Sequence, residues 1–288
     1  MTSRPIEFVK GHGTGNDFIL LPNVDAALTV SARQVAALCD RRRGLGADGV
    51  LVVARTEHEP EVAHLAGQAP YFMDYRNADG SVAEMCGNGA RVFVAHLAET
   101  GLLTAGDGAI ATRGGVRQFR VDPVGTAISV TMGAPALMDR DDLSVQADGS
   151  QQLPALGVHM PNPHAVAWVL DTREAGQLLE APAVTPPGAF PDGVNVEFVR
   201  ALGADHIEMR VFERGVGETL SCGTGACAAV VATEVRAGRA AVGQRVQVDL
   251  PGGRVTVLWR ADGEVELSGP AVLVARGTVD ADWWAEHA

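Results

Sequence analysis

Two cysteines sit in the same local context and are the first residues that could do chemistry. Cys86 opens Cys86-Gly87-Asn88-Gly89-Ala90-Arg91, and Cys222 opens Cys222-Gly223-Thr224-Gly225-Ala226-Cys227. Each turn precedes an apolar, helix-like stretch. Each thiol is therefore expected at a helix N-terminus, where backbone N–H groups lack intrahelical acceptors and attract an anion. The glycines let the main chain approach a carboxylate, and the helix dipole is expected to lower the thiol pKa below its free value of about 8.5. Two such turns can serve one reaction. A thiolate removes the α-proton of an amino acid from one face, a thiol returns a proton to the other, and helix-end amides hold the enediolate between the two steps. The pair would hold one proton and titrate as a unit. Plainer readings of the same turns are core thiols, a Cys86–Cys222 disulfide or an ordinary phosphate-binding turn. Cys39 and Cys227 read as small apolar core residues.

The elements that must position these turns repeat along the chain. Cys86 and Cys222, Gly101 and Gly238, Gly114 and Gly252, and Gly133 and Gly269 recur in the same order at a nearly constant separation of about half the chain. They mark the helix start, helix end, hairpin and final strand end of an internal duplication, which predicts two similar lobes. The boundary is expected at Asp122-Pro123, giving an N-terminal lobe of residues 1–122 joined by a returning segment 270–288, and a C-terminal lobe of 123–269.

Within the first half, a strand is expected over Ile6 to Lys10 and a glycine-rich turn over Gly11 to Asp17. Ser31 should cap a helix that buries Val35, Leu38 and Cys39. Strands are expected at Val50 to Ala54 and Tyr71 to Arg76, with a polar loop between them. In the second half, Ile207, Met209 and Val211 alternate as a half-buried strand. Pro182 to Pro191 reads as an exposed connection.

Composition narrows the function. With 23 Lys+Arg against 35 Asp+Glu, the 288-residue chain carries a formal charge of −12, which disfavours nucleic-acid partners bound through phosphates. Lys10 is the one lysine, so pyridoxal-phosphate chemistry has a single candidate residue and is not expected. The four cysteines show no C-x-x-C spacing, so no metal is expected. No apolar run suggests a signal core or a membrane span, and a cytoplasmic protein with reduced thiols is expected.

At these motifs the sequence resembles the diaminopimelate epimerase family. The resemblance runs through Lys10-x-His12-Gly13-x-Gly15-Asn16-Asp17-Phe18, Asn77-Ala78-Asp79-Gly80-Ser81, both cysteine turns, Asn162-Pro163-His164, Gly193-Val194-Asn195 and Glu213-Arg214-Gly215-x-Gly217-Glu218-Thr219. It implies an α+β fold of two pseudo-symmetric lobes, each a mixed, mostly antiparallel sheet around a central helix. It also implies cofactor-independent interconversion of LL- and meso-diaminopimelate in lysine and peptidoglycan-precursor synthesis, in a cleft between the lobes, by a homodimer.

Carried over by the resemblance, Cys86 and Cys222 are the acid/base pair, and Gly87-Asn88 and Gly223-Thr224 hold the reacting carboxylate. Asn16, Asn77, Asn162, Asn195, Glu213 and Arg214 contact substrate. Asparagine donates and accepts at once, and arginine grips a carboxylate at the distal end. His164 and Glu213 are implied to modulate the thiols. His12 and His159 read as structural or solvent-exposed. Many family members have glutamine where this chain has Gly49, so a side-chain contact from that position is not expected. Two rivals stay open: a proline or hydroxyproline racemase-like enzyme, which would need an apolar wall opposite the thiols, and a small-anion binding protein with structural cysteines.

Overall fold

The computed structural model describes residues 5–122, 127–147 and 149–288. The chain forms two compact units, Met1–Val130 with Pro270–Ala288, and Thr131–Gly269. The first contains β1 (Ile6–Gly13), β2 (Asn16–Pro22), α1 (Ala32–Cys39), β3 (Gly49–Arg55), β4 (Tyr71–Asn77), α2 (Gly87–Glu99), β5 (Gly106–Thr112), β6 (Gly115–Val121) and the start of β7 (Ile128–Gly133). The second contains the end of β7, then β8 (Ala136–Leu137), β9 (Ser144–Gln146), β10 (Leu153–His159), β11 (Pro163–Trp168), β12 (Ala183–Thr185), β13 (Asn195–Gly203), β14 (His206–Glu213), β15 (Gly217–Thr219), α3 (Gly223–Arg236), β16 (Arg245–Leu250), β17 (Gly253–Trp259) and β18 (Val265–Gly269). The chain then returns to the first unit through β19 (Val272–Val279) and α4 (Ala281–Glu286).

Strand pairing repeats between the units. In the first, β1–β2 is antiparallel, β2–β3 parallel and β3–β4 antiparallel; after α2, β4–β5 is parallel, and β5–β6 and β6–β7 are antiparallel. In the second, β10–β11 is antiparallel, β11–β13 parallel and β13–β14 antiparallel; after α3, β14–β16 is parallel, and β16–β17 and β17–β18 are antiparallel. The order of pairings is the same, so the duplication extends to topology. A parallel step needs a crossover, and in both units the crossover between the fourth and fifth strands of the series is the helix that follows the cysteine.

Each of these helices packs against most of the long strands of its own unit. Helix α2 packs against β1, β2, β3, β4, β6 and β19, and α3 against β10, β11, β13, β14, β16, β17 and β18. Such a helix is mostly apolar on every side, and the buried Arg91 of α2 is satisfied by hydrogen bonds to Asn88 and Thr14. Residues Ala226 to Ala232 of α3 are buried without a break, and the small side chains let strands approach from all directions. The first core gathers Phe18, Leu51, Met73, Phe93, Leu97 and Phe119 around α2. Both helices stop as the sequence indicates, with Gly101 and Gly238 in the left-handed conformation just beyond the C-cap.

Local expectations hold in part. Ser31 caps α1 through a reciprocal capping box with Gln34. The glycine-rich stretch, however, is not one long turn. Strand β1 continues to Gly13, the turn is Thr14-Gly15 with φ of 50° and 84°, and β2 begins at Asn16. Positive φ at both loop residues matches the twist of the flanking strands. Val9, Gly11 and Gly13 are the inward-facing alternate positions of β1, so the glycines belong to the strand face that meets α2. The Pro182–Pro191 stretch contains β12, which pairs with β9, so only part of it is exposed connection.

The units divide between Val130 and Thr131, later than the Asp122-Pro123 junction expected from sequence; Pro123 itself lies outside the described residues. The reason is that β7 pairs back onto β6 and buries Ile128 and Val130 in the first core.

Asp17 ties the β1–β2 hairpin to its neighbours. Its carboxylate accepts from Lys10 Nζ at 2.6 Å, from Arg41 Nη2 at 2.7 Å and from the Asp48 N–H at 3.2 Å. Burial works against the charged form, but the bonds from Arg41 and Lys10 prevail and hold the carboxyl well below the ordinary range. A depressed carboxyl stabilises the fold above its unfolded pKa of about 3.9, and this contribution fades as pH falls toward the folded value. Replacing Asp17 by Asn should therefore cost about 2 kcal/mol in urea unfolding at pH 7. The gap between the two proteins should narrow steadily below about pH 4; a gap that is constant from pH 7 to pH 3 would contradict the assignment.

Candidate active site

Cys86 and Cys222 are the N-cap residues of α2 and α3, each with extended backbone (φ −140° and −116°). Each sulfur accepts from the third residue of its own helix, Gly89 N–H at 3.5 Å and Gly225 N–H at 3.4 Å. Gly87-Asn88 and Gly223-Thr224 are then the first two helical residues, whose N–H groups have no acceptor within the helix. All four cysteines are free thiols. Cys39 and Cys227 are buried in α1 and α3 as expected, and burial pushes the Cys39 thiol up to about 11.

Around Cys86 the structure collects neutral amides. The Cys86 thiol lies 3.7 Å from Asn16 Oδ1, and Asn88 Nδ2 donates to the same oxygen at 3.2 Å. Asn16 Nδ2 donates in turn to Asp48 at 2.8 Å, which anchors it to the Asp17 network. Asn88 is fixed from below by Arg91, a completely buried arginine whose Nη2 donates to Asn88 Oδ1 at 2.9 Å and to Thr14 Oγ1 at 3.3 Å. Asn77 stands apart from this set in its hydrogen bonding, because its Nδ2 donates to Ser81 Oγ at 3.0 Å and closes its own turn. A Cβ on Gly49 would stand 2.6 Å from the Arg76 carbonyl oxygen, so no side chain fits there and the contact that a glutamine could make is missing.

Around Cys222 the surroundings are acidic and closed. Cys222 is 5% exposed, and its sulfur lies 3.5 Å from Thr224 Oγ1. Glu213 accepts a hydrogen bond from Thr219 Oγ1. His164 is fully buried, with Nε2 donating to Asn162 Oδ1 at 3.1 Å and Nδ1 facing Glu197 Oε1 at 2.6 Å. Asn195 Oδ1 accepts from the Arg214 N–H at 2.8 Å, and the Arg214 guanidinium donates to the carbonyl of Asp192 at 2.8 Å. The second unit also has a cavity of about 270 Å³ whose lining includes Phe190, Val194, Phe212 and Arg214 but neither Cys222 nor His164.

The electrostatics of Cys222 reverse one expectation. Burial pushes its thiol well above the ordinary value, the charges of Glu213 and Glu197 push it further, and the Thr224 and Gly225 hydrogen bonds only oppose this. A helix dipole is worth at most about 2 kcal/mol even when partly buried, or about 1.5 pKa units. Full burial of an ionisable group moves it by up to about 3–5 units. Desolvation therefore outweighs the dipole at this site. Of the two residues implied to modulate the thiols, Glu213 is among the charges that push Cys222 up, and His164 meets Glu197, the other such charge, and Asn162.

Glu197 and Arg91 were not singled out from sequence. The signal for Glu197 was a lone carboxylate within the apolar run Val196 to Val199, on the same face as Asn195.

The fold places the chain in the structural class of proline racemases and phenazine-biosynthesis PhzF proteins. A PhzF-family protein from Bacillus anthracis superposes with a TM-score of 0.69 at 18% identity, covering 96% of this chain and 99% of the other. A hydroxyproline epimerase from Agrobacterium vitis also gives 0.69, at 14% identity over 98% and 94%. Within that class the chain belongs to the diaminopimelate epimerase family, whose profile matches residues 8–138 and 157–274. The diaminopimelate epimerase of Streptomyces coelicolor is 52% identical over 98% of both chains, and that of Thermobifida fusca is 46% identical over 95% of this chain and 98% of its own.

The contrast between the half-exposed Cys86 and the three buried thiols gives a direct check. Iodoacetamide at pH 7.5 should alkylate Cys86 first, with Cys222 at least about ten-fold slower. Peptide mass spectrometry over a time course reads the order, and equal rates for the two would refute this description of the site.

Proposed function

We propose that this chain interconverts LL- and meso-2,6-diaminopimelate by a two-base proton exchange at one α-carbon, with Cys86 and Cys222 as the exchanging groups and with neither metal nor pyridoxal phosphate. The observation that carries the reading is the placement of two free cysteines as N-caps of equivalent helices in a duplicated fold. In one direction Cys222 enters as the thiol. In that direction Cys86 enters as the thiolate and serves as base. The Cα–H bond breaks as its proton passes to the Cys86 sulfur, and the electron pair moves into the carboxylate as an enediolate. The Cys222 S–H then breaks, its proton forms the new Cα–H bond on the opposite face, and the sulfur is left as thiolate. The reverse reaction exchanges the roles.

The enediolate oxygens carry the developing charge, and the N–H groups of Gly87, Asn88, Gly223 and Thr224 suit them because those donors are already oriented. Glu213 suits a substrate ammonium. Among the described residues the Arg214 guanidinium meets main-chain carbonyls of Asp192 and Gly193 and no carboxylate side chain. That uncompensated charge fits the distal carboxylate of a diamino diacid and does not fit a cyclic amino acid, which favours diaminopimelate over proline or hydroxyproline. Asn16, Asn77, Asn162 and Asn195 complete the polar contacts of this reading. Two thiols that must stay reduced fit the cytoplasm, and the family resemblance carries the homodimer.

The test is epimerisation of LL-diaminopimelate in D₂O. Wild type should incorporate solvent deuterium at the α-carbon during turnover, and replacing either Cys86 or Cys222 by Ala should lower kcat by about 10²–10⁴-fold. Turnover without deuterium incorporation, or a single Ala variant with wild-type kcat, would sink the two-thiol mechanism.

A further inference from the structure

Glu197 is the least expected side chain in the second unit. It lies on β13, between β11 and β14, with no exposure, and its Oε2 is buried with no hydrogen-bond partner among the described residues. Its other oxygen faces His164 Nδ1 at 2.6 Å. A Cβ placed on Gly225 would stand 2.8 Å from Glu197 Oε1 and 3.3 Å from Cys222 Sγ. Carboxyl and sulfur therefore lie within about 6 Å of each other, inside the range over which one charge moves another group's titration. Only glycine leaves room for this approach, and Gly225 is also the donor to the sulfur.

With Asn162 Oδ1 as the acceptor, the heavy-atom contacts of His164 are consistent with one proton count. Asn162 Oδ1 can only accept, so His164 Nε2 carries a proton. The short Nδ1···Oε1 contact then holds one more. With that proton on Nδ1 the pair is imidazolium and carboxylate; with it on Oε1 the pair is imidazole and carboxylic acid. Both forms are neutral overall, which makes the pair tolerable in a closed interior, yet they differ in whether a negative charge stands beside the sulfur.

We propose that Glu197 and His164 form a shared-proton pair that compensates the charge of Cys222, holding a carboxylate beside the sulfur while it is a thiol and a carboxylic acid beside it once it is a thiolate. As the Cys222 proton passes to the α-carbon, the proton on His164 Nδ1 moves to Glu197 Oε1; one N–H bond breaks, one O–H bond forms, and no other reactant is needed. A thiol that must act as acid in one direction and base in the other requires both forms to be accessible in the same buried site, and the pair supplies this. Glu197 and His164 are positioning residues that act through Cys222. The inference rests on the proposed role of Cys222.

The surroundings fit. The groups acting on Cys222 are Glu213 from β14, Glu197 from β13, and Thr224 and Gly225 of α3 itself. Glu197 faces His164 from β11 and Glu213 from β14. Burial pushes the Glu197 carboxyl up, His164 opposes this and Glu213 adds to it, so the protonated carboxyl is more accessible here than on an exposed glutamate.

The pair has a signature that an ordinary carboxyl does not give. Infrared difference spectra of the whole protein between neutral and alkaline pH should show a carboxylic-acid C=O band that appears as pH rises, with the same midpoint as alkylation of Cys222. The band should be absent from C222A and from E197Q. In E197Q, whose amide can donate to His164 Nδ1 but cannot take up its proton, the alkylation midpoint of Cys222 should fall by about one pH unit, or about ten-fold more thiolate at a given pH. E197D keeps the charge and should keep the midpoint near wild type. Absence of the rising band in wild type overturns the proposal whatever the variants do, as does its persistence in C222A or an unchanged midpoint in folded E197Q. Because neither readout uses an amino-acid substrate, such a failure is distinguishable from a failure of the proposed activity.

Discussion

The structure depends on where two helix N-termini are put. A helix that starts inside a sheet leaves its first N–H groups away from water, and something must accept from them. Elsewhere the chain uses good acceptors: Ser31 closes a capping box at α1, and Asp280 accepts from two N–H groups at α4. At α2 and α3 the cap is a cysteine sulfur, a weak acceptor at 3.4 to 3.5 Å. The two most deeply buried helices thus have the weakest caps, and their first-turn amides keep the capacity to bind an anion. Stability is supplied by packing along the helix, from Val92 and Phe93 in one unit and the alanine-valine run in the other, and not by the cap.

Duplication explains the shared geometry but not the electrostatics. The two units repeat the same order of strand pairings and the same cap. One surrounds its sulfur with asparagine amides and leaves it half-exposed, while the other surrounds it with Glu213 and Glu197 and closes it off. Burial and two carboxylates act on the second thiol in the same direction, and together they exceed what a helix dipole returns. On the reading proposed above, this divergence is what makes one copy enter the reaction as the acid. A symmetric pair would have no preferred location for its single shared proton.

Much of this was legible in the sequence because the relevant signals are local. Ser31, Gly101 and Gly238 mark helix ends through cap chemistry, and the paired cysteine turns mark helix starts. The family motifs include Asn16 beside Cys86 and Thr224 and Glu213 beside Cys222, but they did not point to Glu197. What stayed hidden depends on distant partners. The glycines of β1 read as a turn because nothing local says that α2 packs on that strand. The division between units moves into β7 because Ile128 and Val130 fill a core made by residues far away in sequence. The rise of the Cys222 thiol follows from burial and from Glu213 and Glu197 on other strands, which no window of sequence around the cysteine contains.

Glu197 shows the same limit from the other side. Nothing in the packing of β13 calls for a carboxylate at that point, since Val196, Phe198 and Val199 beside it are all apolar and buried. Replacing a buried ionic pair by apolar residues of similar volume is often neutral or stabilising, whereas removing one partner strands the other. The Glu197–His164 pair is therefore poorly explained as a fold-stabilising contact. Among the described residues its carboxylate has one oxygen without a partner and the other against the glycine whose N–H donates to Cys222, so its cost falls on the fold and its field falls on the sulfur. An arrangement that is expensive for stability and directed at one nucleophile is best accounted for by the chemistry of that nucleophile.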